Sequence, residues 1–413
     1  MTTPPDPFEA FPPGLTDNEL ARLTSGSDFW NTEGIDRIGL APIMVTDGPH
    51  GLRKQSAESS GITLDGAVPA TCFPTAAALA STWDRSLLRS VGAALGRETR
   101  SQKVGVILGP GVNIKRHPLC GRNFEYFSED PLLAGDLGAA LVVGIQSQGV
   151  GASVKHFACN NQETNRARVS ADVDGRALRE IYLRPFERVV RAARPWTLMT
   201  ANNRINGTYA SEHVELLTIL REEWGFDGVV LSDWGSVYNR VPALVAGLDL
   251  EMPANPQADE EVLAAISTDP AVREAAQSAA RNILRLADRT RGGRSDAGAR
   301  PASVDFDAHH QLARRAAAQG CVLLTNDGTL PLEPAGDARI AVIGAFAEQP
   351  RYQGAGSSRV TPPGLIPPSL PSGRACPPGC GWTLPRASIP VTGGMTRRCW
   401  PMRWTWCRVP TSF

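Results

Sequence analysis

Gly228-Val229-Val230-Leu231-Ser232-Asp233-Trp234-Gly235 is the stretch on which the reading of this chain turns. Three branched apolar residues run into a hydroxyl, a carboxylate and an indole, the pattern of a buried strand whose C-terminal end is polar. By itself this ending also suits a Ser-Asp helix cap after a strand. Other strand-like runs end the same way: Ile43-Met44-Val45-Thr46-Asp47, Val104 to Gly109, Ser153-Val154-Lys155-His156, Thr197-Leu198-Met199-Thr200 and Leu248-Asp249-Leu250-Glu251.

Between these runs lie helical stretches, such as Asp130 as N-cap and Pro131 in the first turn, then Leu133, Leu137, Leu141 and Ile145 at four-residue spacing, with Gly149 closing the helix. Strand-helix alternation from about residue 40 to 255 predicts an α/β fold with a parallel sheet. Polar residues recurring at strand ends predict a (β/α)₈ TIM-like barrel, because that architecture gathers its functional groups there. A doubly wound sheet is the alternative. It favours a Gly-rich phosphate turn after its first strand, which Gly109-Pro110-Gly111 matches poorly.

The expected organisation is a barrel domain over 1–288, a linker over 289–304 rich in Gly, Arg and small residues, and the beginning of a second α/β domain over 305–360. In that second part His309 to Gly320 reads as a helix, Cys321 to Leu324 and Ile340 to Gly344 as buried strands, and Asn326-Asp327-Gly328 as a turn. From Thr361 to Phe413 the chain has six Arg, eleven Pro, four Cys and four Trp but no Lys, Asp or Glu. That segment is expected to be an irregular tail, disordered or frame-shifted, in preference to a basic aromatic interaction tail.

In 413 residues, 42 Lys plus Arg balance 42 Asp plus Glu. A chain without net charge lacks the broad field that nucleic acid or an anionic membrane would select, and suits a neutral partner. The N-terminus has no basic and apolar leader pattern and no run of about 18 apolar residues follows, so a cytoplasmic, membrane-free protein is expected. Eight irregularly spaced Cys are expected to be reduced, with Cys120 and Cys159 as packing residues. There is no metal-ligand spacing, Walker loop or Gly-x-Ser-x-Gly elbow, so neither a metal nor another cofactor is expected.

Asp233 at a strand end can serve as a nucleophile, and the Trp234 indole as an apolar platform for a sugar's C–H face. Asp47 and Arg53 share a glycine-rich turn, Thr46-Asp47-Gly48-Pro49-His50-Gly51-Leu52-Arg53. Lys155 and His156 are adjacent on one strand, so both reach one ligand only where the backbone is irregular. Arg116 and Arg122 flank Cys120 in a charged, aromatic loop over 115–131. Ligand binding and structural ion pairing to Glu125 or Glu129 are both open there.

These blocks resemble glycoside hydrolase family 3, the β-glucosidase and β-xylosidase family, over most of residues 15 to 360. The resemblance rests on Thr46 to Arg53, Gly109-Pro110-Gly111-Val112-Asn113-Ile114, Cys120-Gly121-Arg122-Asn123-Phe124-Glu125, Lys155-His156-Phe157, Asn160-Asn161-Gln162-Glu163-Thr164-Asn165-Arg166 and Ser232-Asp233-Trp234-Gly235 in the family's order. It implies a barrel followed by an α/β sandwich. It also implies that Asp233 forms a covalent glycosyl-enzyme, while Asp47, Arg53, Arg122, Lys155, His156 and Arg166 hold the nonreducing-end sugar beside Trp234. Asn202 stands where the family usually has a Tyr that hydrogen-bonds the nucleophile.

Retaining hydrolysis uses two carboxyls about 5 Å apart. In similar members the acid/base Glu comes from the sandwich domain, whereas no Asp or Glu follows residue 360 here. Glu163 and Glu125 are nearby in sequence. The family branch with an Asp-His dyad is not indicated, because Lys155-His156-Phe157 continues as Ala158-Cys159-Asn160. The expectation is a β-glucosidase-like hydrolase acting on a small β-glucoside or oligosaccharide, impaired in acid catalysis. The rivals are a non-catalytic or defective sugar-binding remnant and an aldolase using Lys155 as a Schiff-base amine.

Overall fold

The structure is a computed structural model that describes residues 14–55, 66–294, 303–331, 345–347 and 350–365. The chain forms two compact units. The first comprises Met1–Val322 with Gln353–Pro363, and the second Leu323–Tyr352 with Gly364–Phe413.

Five parallel strands form the sheet of the first unit: β1 (Val45–Asp47), β2 (Val106–Leu108), β3 (Gly151–Phe157), β4 (Thr197–Thr200) and β5 (Val229–Leu231), hydrogen-bonded in that order. All five are buried along their length, so none shows the alternation of a strand with one solvent face. The sixth expected run, Leu248 to Glu251, is not a strand. Its contacts are isolated parallel bridges, Leu250 to Leu231 on one side and Glu251 to Ser25 on the other, because each residue pairs with a different neighbour. Bridges from Gly26 to Thr32 and from Asn31 to Met44 continue that edge toward the residue preceding β1. The result is a TIM-like α/β domain whose parallel sheet has five continuous strands among the described residues.

Helices pack outside the sheet. α1 (Arg85–Ser101) is capped by Asp84, whose side chain accepts from the backbone N–H of Ser86 and Leu87. α2 (Pro131–Gln146) has the expected cap, with Asp130 Oδ1 accepting from Leu133 N at 2.7 Å, and ends at Ser147. The two helices cross closely because Gly92 and Gly144 lack side chains: a Cβ on Gly144 would collide with the carbonyl oxygen of Arg89, and one on Gly92 with that of Leu141. α2 also packs on α3 (Arg184–Ala193). Leu137, Leu141 and Ile145 are buried with Leu88, Val91, Val189 and Phe186 in one large cluster.

Five expectations need correction or placement. α4 (Pro270–Arg294) continues into the expected linker, so residues 289–294 are helical, while 295–302 lie outside the described residues. α5 (Phe306–Gln319) forms where a helix was read, but it belongs to the first unit: His309 Nδ1 meets Glu98 Oε1 at 2.6 Å and Ala316 is buried. The units therefore do not divide at residue 305. Cys321 to Leu324 are neither strand nor buried, with Leu324 89% exposed, since no strand among the described residues pairs with them. Ile340 to Gly344 and residues 366–413 of the tail lie outside the described residues.

In the second unit, Asn326 Oδ1 accepts from the N–H groups of Gly328 and Leu330, giving the expected turn with Gly328 at φ 93°. No helix among the described residues is long and apolar enough to cross a membrane.

Candidate active site

A cavity of about 590 Å³ lies in the first unit at the C-terminal ends of the strands. β1 ends at Asp47, β3 carries Lys155 and His156, β4 leads to Asn202, and β5 leads to Asp233 and Trp234. Lys155 and His156 both line this cavity although they are adjacent. The pairing of β3 with β4 shifts register between Val154 and Phe157, and that irregularity breaks the strict alternation of side chains.

The Asp233 carboxylate is held from two sides. Its Oδ1 accepts from its neighbour's backbone N–H, Trp234 N, at 2.8 Å, and its Oδ2 accepts from Asn202 Nδ2 at 2.6 Å. Arg166 Nη1 and His156 Nε2 each stand 4.0 Å from Oδ2. Asn202 therefore supplies the hydrogen bond to Asp233 despite being shorter than the usual Tyr.

His156 is neutral: burial first, then the cations Arg122, Lys155 and Arg166, hold its imidazole well below the usual histidine range. Asn160 Nδ2 donates to the Tyr126 hydroxyl at 3.0 Å, leaving the phenol proton for His156 Nδ1 at 3.2 Å. Nδ1 also stands 3.4 Å from Asn113 Oδ1, and Nε2 lies on the Asp233 side. Asn113 clamps the backbone of the same residue, its amide donating to His156 O at 2.8 Å and its Oδ1 accepting from His156 N at 2.7 Å.

Deeper in the cavity Arg53 Nη1 pairs with Asp47 Oδ2 at 2.9 Å, both side chains nearly enclosed. Burial lifts the Asp47 carboxyl to about 6, against the pull of Lys155 and Arg53. Arg122 pairs with Glu125 through Nε and Oε1. Burial acts to raise the Glu125 carboxyl, but Arg122 and Lys155 outweigh it and the group sits below its ordinary range. Arg53, Arg122, Lys155 and Arg166 thus face Asp47, Glu125, Glu163 and Asp233, four charges of each sign. A cavity dense in donors and acceptors but balanced in charge fits a neutral polyhydroxyl ligand. Phe29, Trp30 and Trp234 give its wall an aromatic surface, with Trp30 and Trp234 ring centroids 5.4 Å apart.

All the expected site residues come together here, although Asn202 meets the site through Asp233 and does not line the cavity itself. Arg116 and Cys120 are not among the lining residues. Ser357 and Ser358 were missed. Their segment is part of the first unit: Gln353 Oε1 accepts from Cys72 Sγ at 3.7 Å, and the same side chain braces the loop by donating through Nε2 to Val360 O at 2.9 Å and accepting from Val360 N at 2.8 Å. Thr361 also accepts from Ala70 N at 2.9 Å, and Val360 packs where Gly51 has no side chain. The small-residue run Gly354-Ala355-Gly356-Ser357-Ser358 was the available signal for a loop at a ligand. No cluster of His, Cys, Asp or Glu among the described residues could hold a metal ion.

Residues 58–286 match the model of the glycosyl hydrolase family 3 N-terminal domain. The chain belongs to glycosyl hydrolase family 3. It is 51% identical over 351 residues to a thermostable β-glucosidase B of Acetivibrio thermocellus, covering 84% of this chain and 46% of that protein. It is 50% identical over 358 residues to an exo-α-(1→6)-L-arabinopyranosidase of Bifidobacterium longum, covering 84% and 47%.

Among solved family 3 structures, a Bifidobacterium adolescentis β-glucosidase superposes with a TM-score of 0.79 at 48% identity, covering 86% of this chain and 50% of that one. β-Glucosidase 3B of Thermotoga neapolitana, in complex with α-D-glucose, gives 0.78 at 39% identity, covering 84% and 51%. The chain spans about half the length of these relatives.

Proposed function

We propose that this chain is a retaining β-glycosidase of the β-glucosidase type, which forms a covalent glycosyl-enzyme on Asp233 from the nonreducing-end sugar of a small β-glucoside. The observation that carries this reading is the Asp233 carboxylate, aimed at a charge-balanced cavity and fixed by Asn202 and the Trp234 N–H. Oδ2 attacks the anomeric carbon while the leaving oxygen takes the bonding electron pair. Water later returns the carboxylate and releases the sugar.

Asp47 accepts from sugar hydroxyls while Arg53, Arg122, Lys155 and Arg166 donate, and His156 presents Nε2 to the same sugar. Hydrogen bonds that shorten as the ring flattens toward an oxocarbenium ion stabilise the transition state more than the ground state. Trp234 covers the apolar face of the sugar. The arabinopyranosidase relative makes α-L-arabinopyranosides the second substrate class to assay beside β-glucosides and β-xylosides.

The test is hydrolysis of p-nitrophenyl β-D-glucoside by the full chain and by Asp233→Asn, with calorimetry of glucose binding. Turnover that vanishes in the variant supports the enzyme. Glucose binding with no turnover in either protein overturns it in favour of a sugar-binding remnant.

A further inference from the structure

The loop from Asn160 to Val169 follows β3 and carries Arg166 to the cavity, where its Nη1 stands 4.0 Å from Asp233 Oδ2. The arginine side chain does little to fix itself there. It is 34% exposed, and its other ionic contact is a loose 3.4 Å approach to Glu163 Oε2 on the same loop. A long side chain on an exposed loop keeps one place only when the backbone beneath it is held. Apart from hydrogen bonds within residues 160–169, residues 162–167 are tied to the rest of the chain at one atom among the described residues, the Ala167 carbonyl oxygen.

Two tyrosines hold that atom. Tyr238 Oη donates to Ala167 O at 2.8 Å and Tyr209 Oη donates to it at 3.3 Å. Their rings stack with centroids 3.8 Å apart and planes 17° from parallel. The Arg204 guanidinium covers the Tyr209 ring at 4.5 Å, and its Nη2 donates to the Tyr209 hydroxyl at 3.1 Å. The segments behind the rings are bonded to each other: Ser211 Oγ donates to Ser236 O at 3.1 Å, and Asn239 N to Glu212 Oε1 at 3.0 Å. Ser236 in turn donates through its N–H and its hydroxyl to Asp233 O. The stack therefore joins the loop of Asp233 to the loop of Arg166, although neither tyrosine lines the cavity and Tyr238 is 45% exposed.

Resting on the reading of Asp233 as nucleophile and Arg166 as a sugar ligand, we propose that Tyr209 and Tyr238 are positioning residues of this site. Their hydroxyls fix the Ala167 carbonyl and, through the adjacent residue, hold the Arg166 guanidinium beside Asp233. A guanidinium free to swing into solvent loses the hydrogen bonds that strengthen as the sugar ring flattens, so its placement acts on the transition state more than on the bound substrate. If the stack only packed residues 204–209 against residues 233–239, loss of the hydroxyls would lower stability and activity without regard to residue 166.

The experiment is a mutant cycle on the full chain: Tyr209→Phe with Tyr238→Phe, in the parent and in Arg166→Ala, read as kcat/KM for 2,4-dinitrophenyl β-D-glucoside, as Tm, and as Asp233 labelling by the 2-deoxy-2-fluoro analogue of that substrate. Phenylalanine keeps the stacked rings and removes only the hydroxyls. The expected result is a fall of about 10-fold in the parent, carried mainly by kcat. In Arg166→Ala the same substitutions should change kcat/KM by less than about twofold, because the group they position is gone. If the paired substitution does not fold, Tyr238→Phe alone, which removes the shorter bond, is put through the same cycle. No loss in the parent, or an equal loss in both backgrounds, overturns the proposal. When the parent still labels Asp233, that outcome leaves the nucleophile standing. A parent chain that neither labels Asp233 nor releases dinitrophenol overturns both readings.

Discussion

Asn202 Nδ2 donates to Asp233 Oδ2 across 2.6 Å, and that amide is the only side chain among the described residues within hydrogen-bond distance of the carboxylate. A hydrogen bond to a charged group contributes about 1.5 to 3 kcal/mol. Asn202→Ala is therefore expected to lower kcat for aryl β-glucosides by roughly 10 to 100-fold. KM should change little, because Asn202 meets the nucleophile and not the cavity. Steady-state kinetics check this, and a rise in KM at constant kcat would assign the amide to substrate binding.

Asp47 supplies a pH dependence with a definite sign. Its carboxyl titrates at about 6 in the free protein, and it must be ionised to accept from sugar hydroxyls while paired with Arg53. kcat/KM is expected to fall as pH drops through about 6, and Asp47→Asn is expected to remove that limb together with most of the binding. The pH profile of kcat/KM, which reports the free protein, is the measurement. A flat profile down to pH 4.5 would exclude Asp47 as the group that must be ionised.

His50 is a buried neutral histidine whose ring nitrogens lack hydrogen-bond partners among the described residues, and burial depresses it to about 4 from 6.5. A histidine depressed on folding contributes stability above its unfolded value that is lost as pH falls toward the folded one. The window here is pH 6.5 down to 4, and the loss is about 3 kcal/mol. Comparison with His50→Gln isolates that share from Asp47, whose raised value acts in the opposite direction between pH 4 and 6. Denaturant titrations at pH 7 and 4 should show the parent losing more stability than the variant.

Gln353 and Gly144 test the packing that positions the site. Gln353→Ala removes the two hydrogen bonds to Val360 that brace the Ser357-Ser358 loop, so KM should rise with modest change in Tm. Gly144→Ala forces a methyl against the Arg89 carbonyl and should cost about 1 to 3 kcal/mol by overpacking, read as a lower Tm.

Much of this was legible in the chain because strand ends announce themselves. Val229-Val230-Leu231 followed by Ser232-Asp233-Trp234 located the sheet edge that carries the cavity, and the adjacency of Lys155 and His156 required the register break seen between Val154 and Phe157. What was not legible depends on long-range pairing. Leu248 to Glu251 looks like a strand but divides its bridges between Leu231 and Ser25. Cys321 to Leu324 carries strand-forming residues, yet its apolar side chains are exposed, with no pairing strand among the described residues. The return of residues 353–363 to the first unit depends on Gln353 meeting Cys72 and on Thr361 meeting Ala70, contacts with no local periodicity to betray them.

The proximity of Glu163 to Asp233 was hidden for the same reason. Seventy residues separate them in sequence, and only the Arg166 guanidinium, reaching both carboxylates, brings the pair into view.

The central claim is that Asp233 becomes covalently glycosylated. Incubation of the full chain with 2,4-dinitrophenyl 2-deoxy-2-fluoro-β-D-glucoside, proteolysis and peptide mass spectrometry test it directly, because this leaving group departs without an acid. The account predicts a single fluoroglucosyl adduct on Asp233, formed with stoichiometric release of dinitrophenol and absent in Asp233→Asn. An adduct on another residue, or dinitrophenol release that continues without any adduct on Asp233, would contradict it.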